Sequence, residues 1–140
     1  LMFEAAIMCL ALNIYHEARD QPFIGQVAVA QVVMNRVRDD RYPDDVCGVV
    51  YQGPTYSWKP NFPVRNRCQF SWYCDGKSDK TPDTEAFEIA RMIAVGVYNG
   101  NLGDFVEGAT HYHATYVLPE WAETKYKTVQ IGEHVFYRWD

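Results

Sequence analysis

Residues 3–19 read FEAAIMCLALNIYHEAR. Phe3, Ile7, Leu10 and Ile14 recur at spacings of three and four, the period of one helix face. Glu17 is the next position on that face. Pro22 sets the latest end of the helix, because its ring cannot continue the helical hydrogen-bond ladder. A glutamate that continues an apolar stripe points toward a core or a cleft. It also sits near the helix C-terminus, the negative end of the macrodipole. Burial and dipole both disfavour the carboxylate and raise its pKa. A carboxylic acid still protonated near neutral pH is what a glycosidic oxygen needs as a proton donor. The plainer alternative is a helix ending in solvent, with Glu17 paired to Arg19 or another cation.

Beyond Pro22, residues 24–38 (IGQVAVAQVVMNRVR) predict a second helix. Val27, Ala30, Met34 and Val37 form its stripe, and Val29 and Val33 widen it. The β-branched run suits a strand too, but its length favours a helix. Residues 39–80 are dense in Pro, Asp, Asn and Gly and predict loops and short pieces, with a short strand at Gln69–Tyr73. A third helix is expected from Thr81 as N-cap and Pro82 at the first helical position to about Asn99, with Gly100 to end it. In the last forty residues the period changes. Ala109–His113 reads as a strand. Val129 and Ile131, then Val135 and Tyr137, alternate around Gly132–Glu133, which suits a type II′ hairpin. Helices followed by a small antiparallel sheet predict an α+β domain, with residues 1–140 as a single unit.

Composition narrows the function classes. With 48% hydrophobic residues, 140 residues can build one core without obligatory staples. A net charge of -5 and a pI of about 5.3 argue against a nucleic-acid partner. The apolar run Leu1–Ile14 is too short to span a bilayer, carries Glu4 and lacks a basic flank, so it reads as a core helix and not as a signal or a membrane anchor. Aromatic residues make up 15% of the chain, and their flat rings serve either a core or a sugar groove. No GxSxG, P-loop, GxGxxG or HExxH occurs, which removes the enzyme classes built on them.

Cys9, in the apolar helix pattern, reads as a small buried hydrophobe. Among Cys47, Cys68 and Cys74, one disulfide is the expectation outside the cytoplasm, as Cys68–Cys74 or Cys47–Cys68. His111 and His113 form an HxH pair on one strand face. That is a metal-ligand geometry which His16, His134 or a carboxylate would complete, or else a pair of polar groups lining a groove. Within Cys68–Cys74 (CQFSWYC), an extended strand would put Gln69, Ser71 and Tyr73 on one face and Phe70 and Trp72 on the other. One face would meet a hydroxyl-rich ligand, or the segment is an ordinary strand.

Seven segments in register carry a resemblance: Ala11–Arg19 (ALNIYHEAR), Gly25–Arg36 (GQVAVAQVVMNR), Tyr42-Pro43 with Val46–Gln52 (VCGVVYQ), Cys68–Gly76 (CQFSWYCDG), Gly108–Ala114 (GATHYHA), Val117–Ala122 (VLPEWA) and Ile131–Arg138 (IGEHVFYR). Across essentially its whole length the chain resembles the SleB/CwlJ cell wall hydrolases of bacteria, spores and phages. The resemblance implies a lysozyme-like domain, similar to soluble lytic transglycosylases, and a catalytic acid at the glutamate of a Tyr-x-Glu-Ala motif, which is Glu17. It implies cleavage of the MurNAc-β-1,4-GlcNAc bond with 1,6-anhydro ends. Motif position and expected facing single out Gln69, Ser71, Tyr112 and His113 as groups that bind sugar or position Glu17. The cysteine-bearing CQFSWYC segment looks more like Gram-negative members than spore enzymes, so the expectation is a compact phage or Gram-negative lysin. A monomer acting on peptidoglycan glycan strands in the periplasm or outside the cell is expected. No metal, cofactor, nucleic acid or membrane insertion is expected. The rivals are a muramidase using Glu17 with Asp20, Asp75 or Glu107, a metal-dependent amidase on His111 and His113, and a wall-binding module.

Overall fold

The computed structural model describes residues 2–140; Leu1, at the head of the apolar N-terminal run, lies outside the described residues. Helix α1 (Met2–Ala18) is the pivot. Its Leu10, Ala11, Ile14 and Ala18 are wholly buried. It packs against α2 (Phe23–Val37), α3 (Val46–Val50) and α4 (Thr84–Tyr98).

Helix α2 is covered on two sides. Val27, Ala30, Val33 and Met34 share a core with α1 and α4, whereas Ala28, Val29 and Val32 pack with Val106, Ala109 and Phe136 on the sheet side. A helix that is apolar nearly all round belongs in a protein interior. That placement explains the β-branched run: burial between two layers outweighs its small helical disadvantage.

The sheet has three antiparallel strands, β3 (His111–Ala114), β4 (Tyr126–Ile131) and β5 (His134–Arg138), with β5 in the middle. Tyr112 lies opposite Phe136, and Ala114 opposite His134. Strand alternation therefore puts these four on one face, toward α2 and the end of α1. Val135 and Tyr137 take the other face and pack on Ala122 and Trp121 of a 3₁₀ helix at Glu120–Thr124. The β4–β5 turn is Gly132–Glu133, with Gly132 at φ +56° as a type II′ turn needs. The Gln21 side chain holds this turn: its Oε1 accepts from the Glu133 amide at 3.0 Å and its Nε2 donates to Glu133 Oε1 at 3.1 Å. A second small hairpin, β1 (Thr55–Tyr56) with β2 (Lys59–Pro63), occupies the loop-rich middle.

Three expectations are corrected. Residues 69–73 do not form a strand; Ser71–Cys74 is a 3₁₀ turn. The Cys68–Cys74 disulfide explains it. Six extended steps would span about 20 Å, whereas the two Cα atoms are 6.1 Å apart. Cys9 is buried, but it is bonded to Cys47, tying α1 to α3. This excludes a Cys47–Cys68 pairing. Helix α4 starts at Thr84, later than the Thr81-Pro82 signal. Asp83 is its N-cap, accepting from the Ala86 amide at 3.0 Å, and the Asp83 amide donates to the Tyr15 hydroxyl at 3.1 Å.

No described helix is long and apolar enough to cross a membrane. Cys9–Cys47 closes a loop with a sequence separation of 38, for which chain-entropy arguments give about 4 kcal/mol. The double variant Cys9→Ser, Cys47→Ser should melt roughly 10 °C lower, and wild type under strong reductant, which also opens Cys68–Cys74, should melt at or below the variant; thermal melts followed by circular dichroism check both.

Candidate active site

Glu17 enters the interior from the last turn of α1, one residue before the helix ends. Its side chain is mostly covered, and one edge opens into a cleft of about 330 Å³ whose lining includes His16, Glu17, Asp20, Tyr116, Glu133 and His134. Glu17 Oε1 accepts a hydrogen bond from the Tyr112 hydroxyl. No ion pair among the described residues includes Glu17. Arg19 turns back instead, with its guanidinium 4.7 Å from the Tyr15 ring centroid and donating to the Tyr15 carbonyl. The solvent-exposed, Arg19-paired alternative for Glu17 is thereby excluded.

Burial raises the Glu17 pKa above the ordinary carboxylic value; the Tyr112 hydrogen bond and then the Arg36 charge oppose it without cancelling it. Burial and the neighbouring carboxyl push the Tyr112 phenol far up, so it stays an O–H donor. Arg36 is only 6% exposed. Its Nε donates to the Thr110 carbonyl at 2.7 Å, and its guanidinium lies against the Tyr42 and Phe70 rings.

Polar side chains of α2 place Tyr112. Gln31 holds Gly103 and Phe105 by their backbone, Asn35 Nδ2 donates to the Ala109 carbonyl at 2.8 Å, and Arg36 holds Thr110. Together they pin residues 103–110, the segment that feeds β3. On the other flank, Trp72 Nε1 donates to the buried Asn13 Oδ1 at 2.9 Å, and its ring stacks on His16 at 4.5 Å between centroids.

The sequence profile of the cell wall hydrolases matches residues 20–137. The chain belongs to the cell wall hydrolase family. It is 33% identical over 131 residues to a spore cortex-lytic enzyme of Halalkalibacterium halodurans and 30% identical over 131 residues to that of Bacillus subtilis, covering 93% of this chain in each case. It spans only 34% and 36% of those two relatives' lengths. Its structure resembles the catalytic domain of the germination-specific lytic transglycosylase SleB from Bacillus anthracis, with a TM-score of 0.72, 29% identity and coverage of 95% of this chain and 93% of that one. The Bacillus cereus SleB catalytic domain matches with a TM-score of 0.72 and 29% identity over 96% of this chain and 91% of that one. The α+β, lysozyme-like domain expected from the sequence is the fold this cell wall hydrolase has.

Of the residues singled out in the sequence, Glu17 and Tyr112 meet directly. His113 does not reach them. It lies on the opposite strand face, its Nε2 2.9 Å from the Tyr137 hydroxyl, and lines a separate concavity with Tyr116, Leu118 and Lys127. His111 and His113 share a face, as expected, with both rings near Trp121. No group of three potential metal ligands occurs among the described residues. Burial, then Arg36, Lys125 and Arg41, hold His111 down at about 4. Gln69 and Ser71 are exposed and do not line the Glu17 cleft. Their segment serves the site through Trp72. Among the candidate second carboxylates, Asp20 lines the cleft, whereas Asp75 and Glu107 do not. Arg36, Asn13, Trp72, His16 and His134 were not picked out as a set around Glu17. The available signal was the trio of polar residues Gln31, Asn35 and Arg36 inside an otherwise apolar helix.

Because the Tyr112 hydroxyl lowers the Glu17 pKa, its removal raises it. Tyr112→Phe should move the alkaline limb of the pH–rate profile upward, while kcat falls about tenfold from lost positioning; turbidity assays on sacculi across pH test this. The raised Glu17 pKa also makes an ionised Glu17 a burden on folding. The stability it retains below the ordinary carboxylic range disappears as pH rises through its native value. Glu17→Gln should therefore gain stability relative to wild type as pH increases, seen in denaturant midpoints at pH 4 and pH 8.

Proposed function

We propose that this chain is a peptidoglycan lytic transglycosylase in which Glu17 acts first as acid and then as base. One observation carries the reading: a carboxyl with raised pKa faces a polar cleft, held by a neutral hydroxyl donor and free of any ion pair among the described residues. The likeness to a domain described as a lytic transglycosylase supports it.

Protonated Glu17 gives its proton to the bridging oxygen of the MurNAc-β-1,4-GlcNAc bond. The C1–O bond breaks, its electron pair stays with the departing oxygen, and positive charge develops at the MurNAc anomeric carbon. The Glu17 carboxylate then removes the proton of the MurNAc C6 hydroxyl, whose oxygen closes on C1 as the 1,6-anhydro ring. Glu17 ends protonated, so no water and no second carboxylate enter the cycle; ordinary glycosidases need two carboxyls. Burial favours the acid form, while the Tyr112 O–H and Arg36 stabilise the anion left after the first transfer. A group that must change role within one turnover is served by opposed influences of this kind.

The two disulfides support action in an oxidising compartment, at the wall in the periplasm or outside the cell. The phage or Gram-negative lysin role rests on the cysteine-bearing form of residues 68–74. We read the chain as a monomeric, single-domain catalyst that meets glycan strands without a nucleic-acid or membrane partner.

Asp20 in the same cleft favours a second reading, a muramidase that adds water. Muropeptides released from purified sacculi separate the two by mass, since anhydro ends lack one water. Wild type should give anhydro ends, Glu17→Gln should give no release, and Asp20→Asn should remain active. Hydrated ends together with an inactive Asp20→Asn would establish the muramidase instead.

A further inference from the structure

We infer that His134 is a substrate-binding residue of the Glu17 cleft, its ring presenting an Nε2–H donor to an acceptor oxygen of the sugar unit held against Glu17. This rests on the proposed glycan-cleaving reading of the cleft. His134 opens β5 immediately after the Gly132–Glu133 turn and is 9% exposed. Its ring lies 4.9 Å from the Tyr112 ring, centroid to centroid, so it borders the group that holds Glu17. It lines the same cleft as Glu17.

The ring nitrogens differ in their surroundings. Nδ1 is sealed from solvent and has no hydrogen-bond partner among the described residues. His134 lines the cleft and Nδ1 is the sealed nitrogen, which leaves Nε2 as the ring nitrogen available to the cleft. A buried N–H without an acceptor is among the least tolerated polar groups, whereas an unused lone pair is tolerated better. The single proton of the uncharged imidazole therefore sits on Nε2. Burial holds the His134 pKa down, with His113 adding to the effect and Asp20 and Glu133 opposing it, which keeps the ring uncharged. The donor's position is set by backbone pairing to Ala114 and by the Gln21 clamp on the turn beside it. Its complement is an uncharged acceptor, a hydroxyl or amide carbonyl oxygen, both of which an N-acetylated sugar carries.

The test compares His134→Gln, which keeps an N–H donor, with His134→Phe, which keeps the ring shape and loses it. Muropeptide release gives kcat and KM, and titration with an N-acetylglucosamine tetramer in the Glu17→Gln background gives binding without turnover. His134→Phe should lower kcat/KM and tetramer affinity about tenfold, His134→Gln should recover to within about threefold, and both should melt as wild type does. A His134→Phe variant that binds and turns over as wild type does, or Gln and Phe variants equally impaired, would overturn the inference while the role of Glu17 stands. If wild type neither releases muropeptides nor binds the tetramer, the proposed function falls and this inference with it.

Discussion

The structure depends on one buried contact, the Tyr112 hydroxyl donating to the Glu17 carboxyl. A carboxylate taken from water into a protein interior is costly unless it is paired with charge or keeps its proton. Here no cation forms an ion pair with it among the described residues, and the nearest buried charge, Arg36, spends its Nε on a backbone carbonyl. Burial pushes the Glu17 pKa up, while the Tyr112 hydroxyl and the Arg36 charge pull against that rise. An Arg19 or Arg36 ion pair in place of the phenol would hold the carboxyl ionised and remove the proton that the proposed transglycosylation requires.

That balance makes the rest of the fold a positioning device. Tyr112 sits in a short strand, and the strand is aimed by residues 103–110, which α2 grips through Gln31, Asn35 and Arg36. Each such hydrogen bond contributes on the order of 1 kcal/mol net, and leaving a buried partner unmet costs more. No single one decides the geometry; the set does. The opposite flank is arranged differently. A disulfide closes Cys68–Cys74 into a turn, and the turn delivers the Trp72 indole to Asn13 and His16. Two unrelated local devices thus meet at the last turns of one helix.

Local signals were read well where the determining contacts are close in sequence. The period of α1 and α2 follows from side-chain direction on a helix, and the β4–β5 hairpin from the φ that Gly132 adopts. Glu17 was legible because a polar residue on an apolar face stands out. The expectation for Gln69 and Ser71 rests on a two-residue alternation that the disulfide does not allow. His113 was grouped with Tyr112 by motif, although neighbours on a strand must point to opposite faces. The α4 start lies beyond the local Thr81-Pro82 signal because the Asp83 cap is reinforced by Tyr15, far away in sequence.

The sequence by itself determined the helices, the terminal hairpin, the family and the carboxyl at the end of α1, because each is written in spacing over a few residues or in motifs kept in order. Only the tertiary structure decided that Cys9 bonds Cys47, that Tyr112 rather than His113 meets Glu17, and that His134 shares the cleft. Those outcomes depend on which distant segments pack together, and on burial that changes the proton affinity of a group only once its neighbours have closed around it.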